Sequence, residues 1–329
     1  MTEPQHAASS PAWASRLTDP SRAARGQTHI HLVGIGGAGL SAIAELLLQM
    51  GCTVSGSDQR PNDATAELAA HGATVYRGHQ AQHIAGADLV LISSAVPDDN
   101  PEVNAARAAG IPVVKRFDFL GPLMAGQHGI GVAGSHGKTT TTSLIAIILM
   151  RAGLDPSFII GGRAPVGPAE GMASATAAAR AGVGPFVIEA DEYDRMFLGL
   201  QLEIAVVTNV EWDHVDCYPT PKAFADAFRA FAGQLPDWGL LLLCADDPGS
   251  LALRDAARPG VTMRTYGLSP EADWQARRLT PNARGGLDAE IWFAGQEVAA
   301  LSLAIPGRHN IRNALAALAV AHWHGIKPA

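Results

Sequence analysis

The chain has 329 residues, of which 47% are hydrophobic and 17% charged, and its formal net charge is -7. That length favours two domains, and that apolar content argues against a disordered chain. The acidic balance gives no electrostatic ground for a nucleic-acid or acidic-membrane partner, and no stretch approaches the roughly 20 apolar residues that span a bilayer.

Met1 to Gly26 lacks the apolar segment of a secretory signal and reads as a flexible tail. From Thr28 the pattern sharpens. His29–Val33 reads as a strand, Leu40–Met50 as a helix, Thr53–Ser57 as a strand ending at Asp58, and Thr65–His71 as a helix. Thr74–Tyr76 is extended, Leu89–Ser93 is a buried strand, and a helix over Glu102–Ala109 leads to Pro112–Val114. Strands alternating with helices at this spacing predict a parallel sheet covered on both faces. A second α/β series follows, with strands at Gly129–Ala133, Phe186–Ile188, Ile204–Val207 and Leu240–Leu243, and helices at Thr140–Arg151 and Ala223–Ala232. Gly161–Gly184 reads mostly as loop; Ile291–Phe293 and Ala300–Ile305 suggest a small β-layer before a closing helix over Asn310–His322. The expected organisation is a tail over 1–26, a Rossmann-like domain over 27–122 and a P-loop-type α/β domain over 123–329, with the junction near Gly121–Gln127. Cys52, Cys217 and Cys244 are scattered and read as reduced thiols of a cytoplasmic protein.

Two glycine loops carry the chemistry. Gly34-Ile35-Gly36-Gly37-Ala38-Gly39 lies between a strand and a helix, where a backbone without side chains can approach a diphosphate and aim helix N-terminal amides at it. Asp58, ending the next strand, is placed to accept from a sugar or base. Taken alone, this pattern fits a dinucleotide as well as a UDP-sugar. Gly134-Ser135-His136-Gly137-Lys138-Thr139-Thr140 is sharper. It offers amides to wrap phosphate oxygens, a lysine for the terminal phosphates and a hydroxyl for Mg²⁺, although Val132 stands where the strict pattern has its first glycine.

Acidic and imidazole groups face that loop in the pattern. The strand Phe186–Ile188 runs into Glu189-Ala190-Asp191-Glu192, and Ile204–Val207 runs into Thr208-Asn209 and then Glu211-Trp212-Asp213-His214-Val215-Asp216. Carboxylates just past buried parallel strands point into the ligand crevice, and such oxygen-rich sets suit Mg²⁺ rather than zinc. A solvated acidic cluster is the bland reading of Asp213–Asp216. Pro306-Gly307-Arg308-His309-Asn310 precedes a helix and either presents polar groups to a base or caps the helix through His309 or Asn310.

The segments GIGGAGLSAIAELLLQMGCTVSGSD, ISSAV, AGSHGKTTTT, EADEYDRMFL, VVTNVEWDHVDCYP and IPGRHNIRNALAA together resemble the Mur ligases, ATP-dependent amide-forming enzymes of peptidoglycan precursor synthesis. The resemblance runs from His29 to about Ala321, and its wording is most similar to the alanine-adding member. The recycling ligase that attaches a preformed tripeptide shares the EADEYD element. The resemblance implies UDP-N-acetylmuramate on the first domain, held by Gly36, Gly37, Ala38, Gly39, Ser41 and Asp58, with His79, Ser93 and Ser94 alongside. It implies ATP and Mg²⁺ on the second: Gly134–Thr140 on the phosphates, Lys138 at the β/γ positions, and Thr139, Glu189 and His214 toward metal. Asn209 would support the same site, with His309, Asn310 and Asn313 near the adenine. Lys138, Glu189 and His214 are then the catalytic set for joining L-alanine to a lactyl carboxylate through an acyl phosphate.

Two departures from the family follow. The neighbourhood of Phe228-Arg229 offers no lysine, so no carbamylated lysine is expected. The chain also stops at Ala329, where the family continues into a third domain, which puts turnover by this polypeptide in question. A nucleotide- and UDP-sugar-binding module without turnover is therefore one competing reading. A nicotinamide-dependent oxidoreductase using Gly34–Gly39 is another, and it leaves Lys138, Thr139, Glu189 and His214 without a role.

Overall fold

A computed structural model of the chain describes residues 12–18, 27–165 and 176–327. They fall into two compact units, Met1–Ala125 and Gly126–Ala329.

The first unit runs α1 (Ala12–Thr18), β1 (His29–Val33), α2 (Ala38–Gln49), β2 (Thr53–Asp58), α3 (Asp63–Ala70), β3 (Thr74–Arg77), β4 (Leu89–Ile92), α4 (Pro101–Ala108), β5 (Val113–Lys115) and α5 (Arg116–Leu123). Its sheet has five strands in the order β3-β2-β1-β4-β5. Every neighbouring pair is parallel, with Ile30 opposite both Val54 and Leu89. Burial on both faces explains the unbroken apolar run of β4, whose four residues are all buried.

One expectation is corrected here. The predicted tail contains α1, in which Ala14 and Leu17 are buried and Trp13 stacks on Phe119 with ring centroids 5.5 Å apart. Trp13 and Leu17 stand one turn apart on one helical face, a pattern too short to read within an Ala- and Ser-rich stretch. The other residues of the predicted tail lie outside those described, and the chain is described again from Gln27. The division between Ala125 and Gly126 falls within the predicted junction Gly121–Gln127, although α5 runs through Gly121 and Pro122 to Leu123. Burial of Phe119, Leu120 and Leu123 overrides the local helix-breaking signal.

The second unit runs β6 (Gly129–Ala133), α6 (Lys138–Arg151), β7 (Ser157–Pro165), β8 (Thr176–Arg180), β9 (Phe186–Glu189), β10 (Ile204–Val207), α7 (Pro221–Gly233), β11 (Leu240–Cys244), α8 (Pro248–Leu251), β12 (Thr262–Gly267), β13 (Trp274–Pro281), β14 (Leu287–Phe293), β15 (Gln296–Ser302) and α9 (Arg308–Trp323). Its ten strands form one sheet, ordered β15-β14-β13-β12-β11-β10-β6-β9-β7-β8. The strands after Ala272 extend that sheet as an antiparallel edge, β13-β14-β15. The predicted loop over Gly161–Gly184 is corrected in part: β7 and β8 pair antiparallel, with Ala164, Ala177 and Ala179 buried. Alanine and glycine carry little strand propensity, so the pairing comes from burial that local sequence does not announce. Residues 166–175 of that stretch lie outside those described.

α7 shows how sequence fixes a local element. Thr220 Oγ1 accepts from Ala223 N at 3.1 Å, Pro221 opens the first turn, and Phe224, Phe228 and Phe231 recur on the buried face. Phe228 meets Phe197 edge-on at 5.2 Å and Phe224 at 5.0 Å. No helix among the described residues is long and apolar enough to cross a membrane. Truncating Phe228 to alanine is expected to cost about 3–5 kcal/mol of stability, read as a lowered urea midpoint with an unchanged m-value.

Candidate functional site

In the second unit, β6 is flanked by β10 and β9, both parallel to it, so the chain leaves the sheet in opposite directions on either side of its carboxyl end. That is where an open α/β sheet forms its crevice, and the second glycine loop occupies it. Gly134 has φ +137°, and a Cβ there would collide with Thr208 Oγ1. Gly137 caps α6 in the left-handed region with φ 86°. The first-turn amides that follow, including those of Lys138, Thr139 and Thr140, have no intrahelical acceptor, the usual provision for an anion.

The neighbouring strand clamps this loop. His136 N donates to Asn209 Oδ1 at 2.9 Å, Ser135 N to Asn209 O at 3.3 Å, and Ser135 Oγ to Glu211 O at 2.7 Å. The Ser135 and His136 amides therefore help to hold the shape of the loop.

Lys138 is held by a residue that the sequence reading named but did not use. Its Nζ donates to Glu192 Oε1 at 2.9 Å, Oε2 at 2.8 Å, and Gly134 O at 2.5 Å. The Glu192 side chain is 1% exposed and that of Lys138 18%. His214 Nε2 stands 3.4 Å from Glu192 Oε1, and Tyr218 OH donates to Glu192 O at 2.5 Å. The fourth residue of Glu189–Glu192 is thus the lysine's partner, and the first has a different task. Glu189 Oε1 accepts from Gly161 N at 2.7 Å, and its carboxyl also receives the Thr139 hydroxyl. Burial pushes the Glu189 carboxyl above its ordinary 4.5, against those donors and the nearby Lys138 charge.

The predicted metal set is therefore split: Thr139 meets Glu189, whereas His214 meets Glu192. Among the described residues no group of three or more His, Cys, Asp or Glu side chains could hold a metal by itself. A carboxylate and a hydroxyl at the phosphate end still fit Mg²⁺, which is commonly held by one or two protein oxygens plus substrate phosphates. His214 sits at φ 54°, and Asp194 and Arg195 at 52° and 55°, so both segments beside Glu192 carry left-handed non-glycine residues.

Beyond the loop lies a cavity of about 350 Å³ lined by His136, Gly137, Asn209, Asp246, His309 and Asn313, with Arg312 and Tyr266 further along. The sequence-predicted His309 and Asn313 thus meet the phosphate loop; Asn313 Oδ1 lies 2.9 Å from where a Gly137 Cβ would stand. Asn310 donates to Pro306 O at 2.7 Å and accepts from Asn313 Nδ2 at 3.2 Å, and α9 is capped by Gly307 rather than by His309 or Asn310. Asp246 was missed, although it follows buried β11 as Glu189 follows β9, so the same rule would have found it. Its carboxylate accepts from Leu268 N at 2.9 Å and Ser269 N at 2.8 Å, with Arg312 at 4.0 Å.

In the first unit the glycine loop lies at the carboxyl end of β1, between β2 and β4. Asp58 is largely committed to backbone: Oδ2 accepts from Gly36 N at 2.9 Å and Oδ1 from Arg60 N at 2.9 Å. It anchors the loop, and the carboxylate keeps acceptor capacity beyond these two bonds. Gly37 and Ala38 are exposed, and Gly39 begins α2 with Ser41, whose hydroxyl donates to Ala38 O at 3.2 Å. Ser93 lies across from Gly34, with its Cβ 3.7 Å from a Cβ built there, and Ser94 beside it is exposed. His79 joins the same edge through Ser57, 2.8 Å away. Arg116, unremarked in the sequence, fills the space over Gly39 that a Cβ would take.

Known families decide the wider assignment. The pattern described as "Mur ligase family, catalytic domain" matches residues 29–128, and "Mur ligase middle domain" matches residues 132–321. The chain belongs to the Mur ligase family. A UDP-N-acetylmuramate–L-alanine ligase of Xylella fastidiosa is 45% identical over 319 residues, covering 95% of this chain and 64% of its own length. The chain thus spans less than two thirds of that relative. Among solved Mur ligases, the UDP-N-acetylmuramate:L-alanyl-gamma-D-glutamyl-meso-diaminopimelate ligase from Neisseria meningitides superposes with a TM-score of 0.78 at 30% identity, covering 91% of this chain and 94% of that one. The UDP-N-acetylmuramate–alanine ligase from Thermotoga maritima gives 0.74 at 28% identity, covering 90% and 65%.

Glu189 supplies a stability test. Its folded pKa is raised, so the folded chain binds more protons than the unfolded one above the ordinary 4.5, and stability falls as pH rises through that window. Glu189→Gln is expected to raise the urea midpoint at about pH 7 and to leave it unchanged at about pH 4. Urea titrations at the two pH values measure this directly.

Proposed function

We propose that this Mur ligase chain carries the UDP-sugar and ATP sites of an enzyme that joins L-alanine to the lactyl carboxylate of UDP-N-acetylmuramate in peptidoglycan precursor synthesis. The observation that carries the reading is the crevice at the end of β6, where Lys138 pairs with Glu192 and the adjoining loop residues His136 and Gly137 share one cavity with His309 and Asn313. The choice of L-alanine is supported by 45% identity to the Xylella fastidiosa ligase of that name.

Within this reading a lactyl carboxylate oxygen bonds to the γ-phosphorus of ATP and ADP leaves. The amine of L-alanine then attacks the activated carbonyl carbon, releasing inorganic phosphate and a proton as the amide forms. The difficulty in the first step is repulsion between two anions. Lys138 lowers it by presenting a positive charge at the loop, and the amides opening α6 add the helix's partial charge. Glu192 keeps the ammonium aimed, and Thr139 and Glu189 are the residues to hold Mg²⁺. Mg²⁺, when bound, supplies further charge neutralisation at the phosphate oxygens. In the first unit, Gly36–Gly39 and Ser41 would receive the diphosphate, with Ser93, Ser94 and His79 on the remaining polar groups. Arg116 beside Gly39 adds a guanidinium to the same edge.

A second reading, attachment of a preformed tripeptide, is favoured by the 0.78 TM-score to the Neisseria meningitides ligase. Product analysis with L-alanine and with L-alanyl-γ-D-glutamyl-meso-diaminopimelate separates the two. The alanine reading requires amide product from L-alanine, and product from the tripeptide alone would replace it.

The two-site reading makes its own demand. Lys138→Ala is expected to abolish ATP binding, by at least about 100-fold, while UDP-N-acetylmuramate binding stays intact, both read by calorimetry. Equal loss of both ligands in a folded variant would remove the assignment of separate sites.

A further inference from the structure

The first unit buries a carboxylate that the reading above leaves without a task. Glu102 lies in the first turn of α4, where Asn100 Oδ1 accepts from its amide at 2.9 Å. Its side chain is 0% exposed and is ringed by His31, His79 and His83. Oε1 receives His83 Nδ1 at 2.7 Å, and Oε2 receives Ser57 Oγ at 2.5 Å and His79 Nδ1 at 3.1 Å. His31 Nε2 is 3.7 Å from Oε1, while its Nδ1 meets Ser55 Oγ at 2.8 Å. Burial alone would raise the Glu102 carboxyl; donors from His31, Ser57 and His83 outweigh it and bring it to about 2. An ionised carboxylate at such depth persists only because it is fully partnered.

The hydrogen-bond arithmetic fixes one imidazole. Ser57 has a single hydroxyl hydrogen, and an ionised carboxylate can only accept, so that hydrogen goes to Oε2. Ser57 Oγ also lies 2.8 Å from His79 Nδ1, where it can then only accept. His79 Nδ1 must therefore carry a hydrogen, shared between Ser57 Oγ and Glu102 Oε2. In a neutral ring this leaves Nε2 as an acceptor. Among the described residues Nε2 of His79 has no hydrogen-bond partner, and the side chain is 14% exposed. Gly78 N, one residue earlier, donates to Asp58 O at 2.8 Å, which ties His79 to the edge that carries the glycine loop.

We infer that Glu102, acting with Ser57, is a positioning residue that fixes the tautomer and plane of His79, so that Nε2 is offered as an acceptor to an N–H or O–H of the UDP-sugar. This deepens the proposed function and rests on the first unit being the UDP-sugar site. Pre-set imidazole orientation spares the complex the cost of ordering it on binding.

The test uses the full 329-residue chain. Long-range ¹H–¹⁵N imidazole spectra at about pH 8, above the ordinary histidine range, are expected to show His79 as the neutral Nδ1–H form. An Nε2–H tautomer or a doubly protonated ring overturns the inference without any variant. Calorimetry with UDP-N-acetylmuramate then reads the consequence. Glu102→Gln is expected to weaken binding roughly tenfold, leaving ATP affinity unchanged, and to have no further effect in a His79→Ala background. An equal loss in that background shows that Glu102 acts elsewhere and overturns the inference. Should Glu102→Gln not fold, Ser57→Ala takes its place in the same cycle, since it removes only a hydroxyl. Failure of the wild-type chain to bind UDP-N-acetylmuramate sinks the proposed site instead, and the tautomer spectrum still decides the positioning of His79.

Discussion

Parallel strands can be joined only through crossovers, and that constraint orders everything else in each unit. In the five-stranded sheet all the pairs are parallel, and in the larger sheet β6 has parallel neighbours on both sides. Each of these parallel strands therefore discharges its following loop at the same edge. Gly34–Gly39, Asp58, His79 and Ser93 gather there in one unit. Gly134–Thr140, Glu189–Glu192 and Asn209–Glu211 gather there in the other. Residues far apart in sequence become neighbours because strand direction leaves them no alternative.

At both edges buried or half-buried carboxylates organise the loops. Asp58 is tied to backbone amides, Glu192 to the Lys138 ammonium, and Glu102 to hydroxyl and imidazole donors. Glu189 differs, because its donors do not offset its burial and its carboxyl is pushed upward. A carboxylate left short of compensation is the group on which an added cation does most good. The contrast between Glu189 and Glu192, three residues apart, shows how one acidic run divides into a scaffold position and a chemically receptive one.

The strands of the first sheet and β6, β9, β10 and β11 of the second were legible because burial on two faces demands apolar runs, and the glycine loops because little else permits their backbone. The helix after the second glycine loop was expected from Thr140, two residues inside its start at Lys138, and His309 and Asn313 were named by the family resemblance rather than by pattern. What stayed hidden depended on tertiary partners. The part of β7 from Gly161 onward, and β8, are rich in glycine and alanine with little strand signature, and α1 reads as a tail until Phe119 covers Trp13. The division of labour between Glu189 and Glu192 turns on which carboxylate the sheet buries against Lys138. The bond from Gly36 N to Asp58 is invisible to spacing. Glu102 gave no signal, its histidines arriving from two other stretches of chain, at His31 and at His79–His83.

Asp194, Arg195 and His214 hold left-handed backbone where glycine would be easier, and they flank the one carboxylate that grips Lys138. Such conformations cost on the order of 1 kcal/mol or more each. A chain selected only to fold would have relaxed them. The segments around the lysine's partner thus carry a backbone cost that glycine at any of the three positions would relieve.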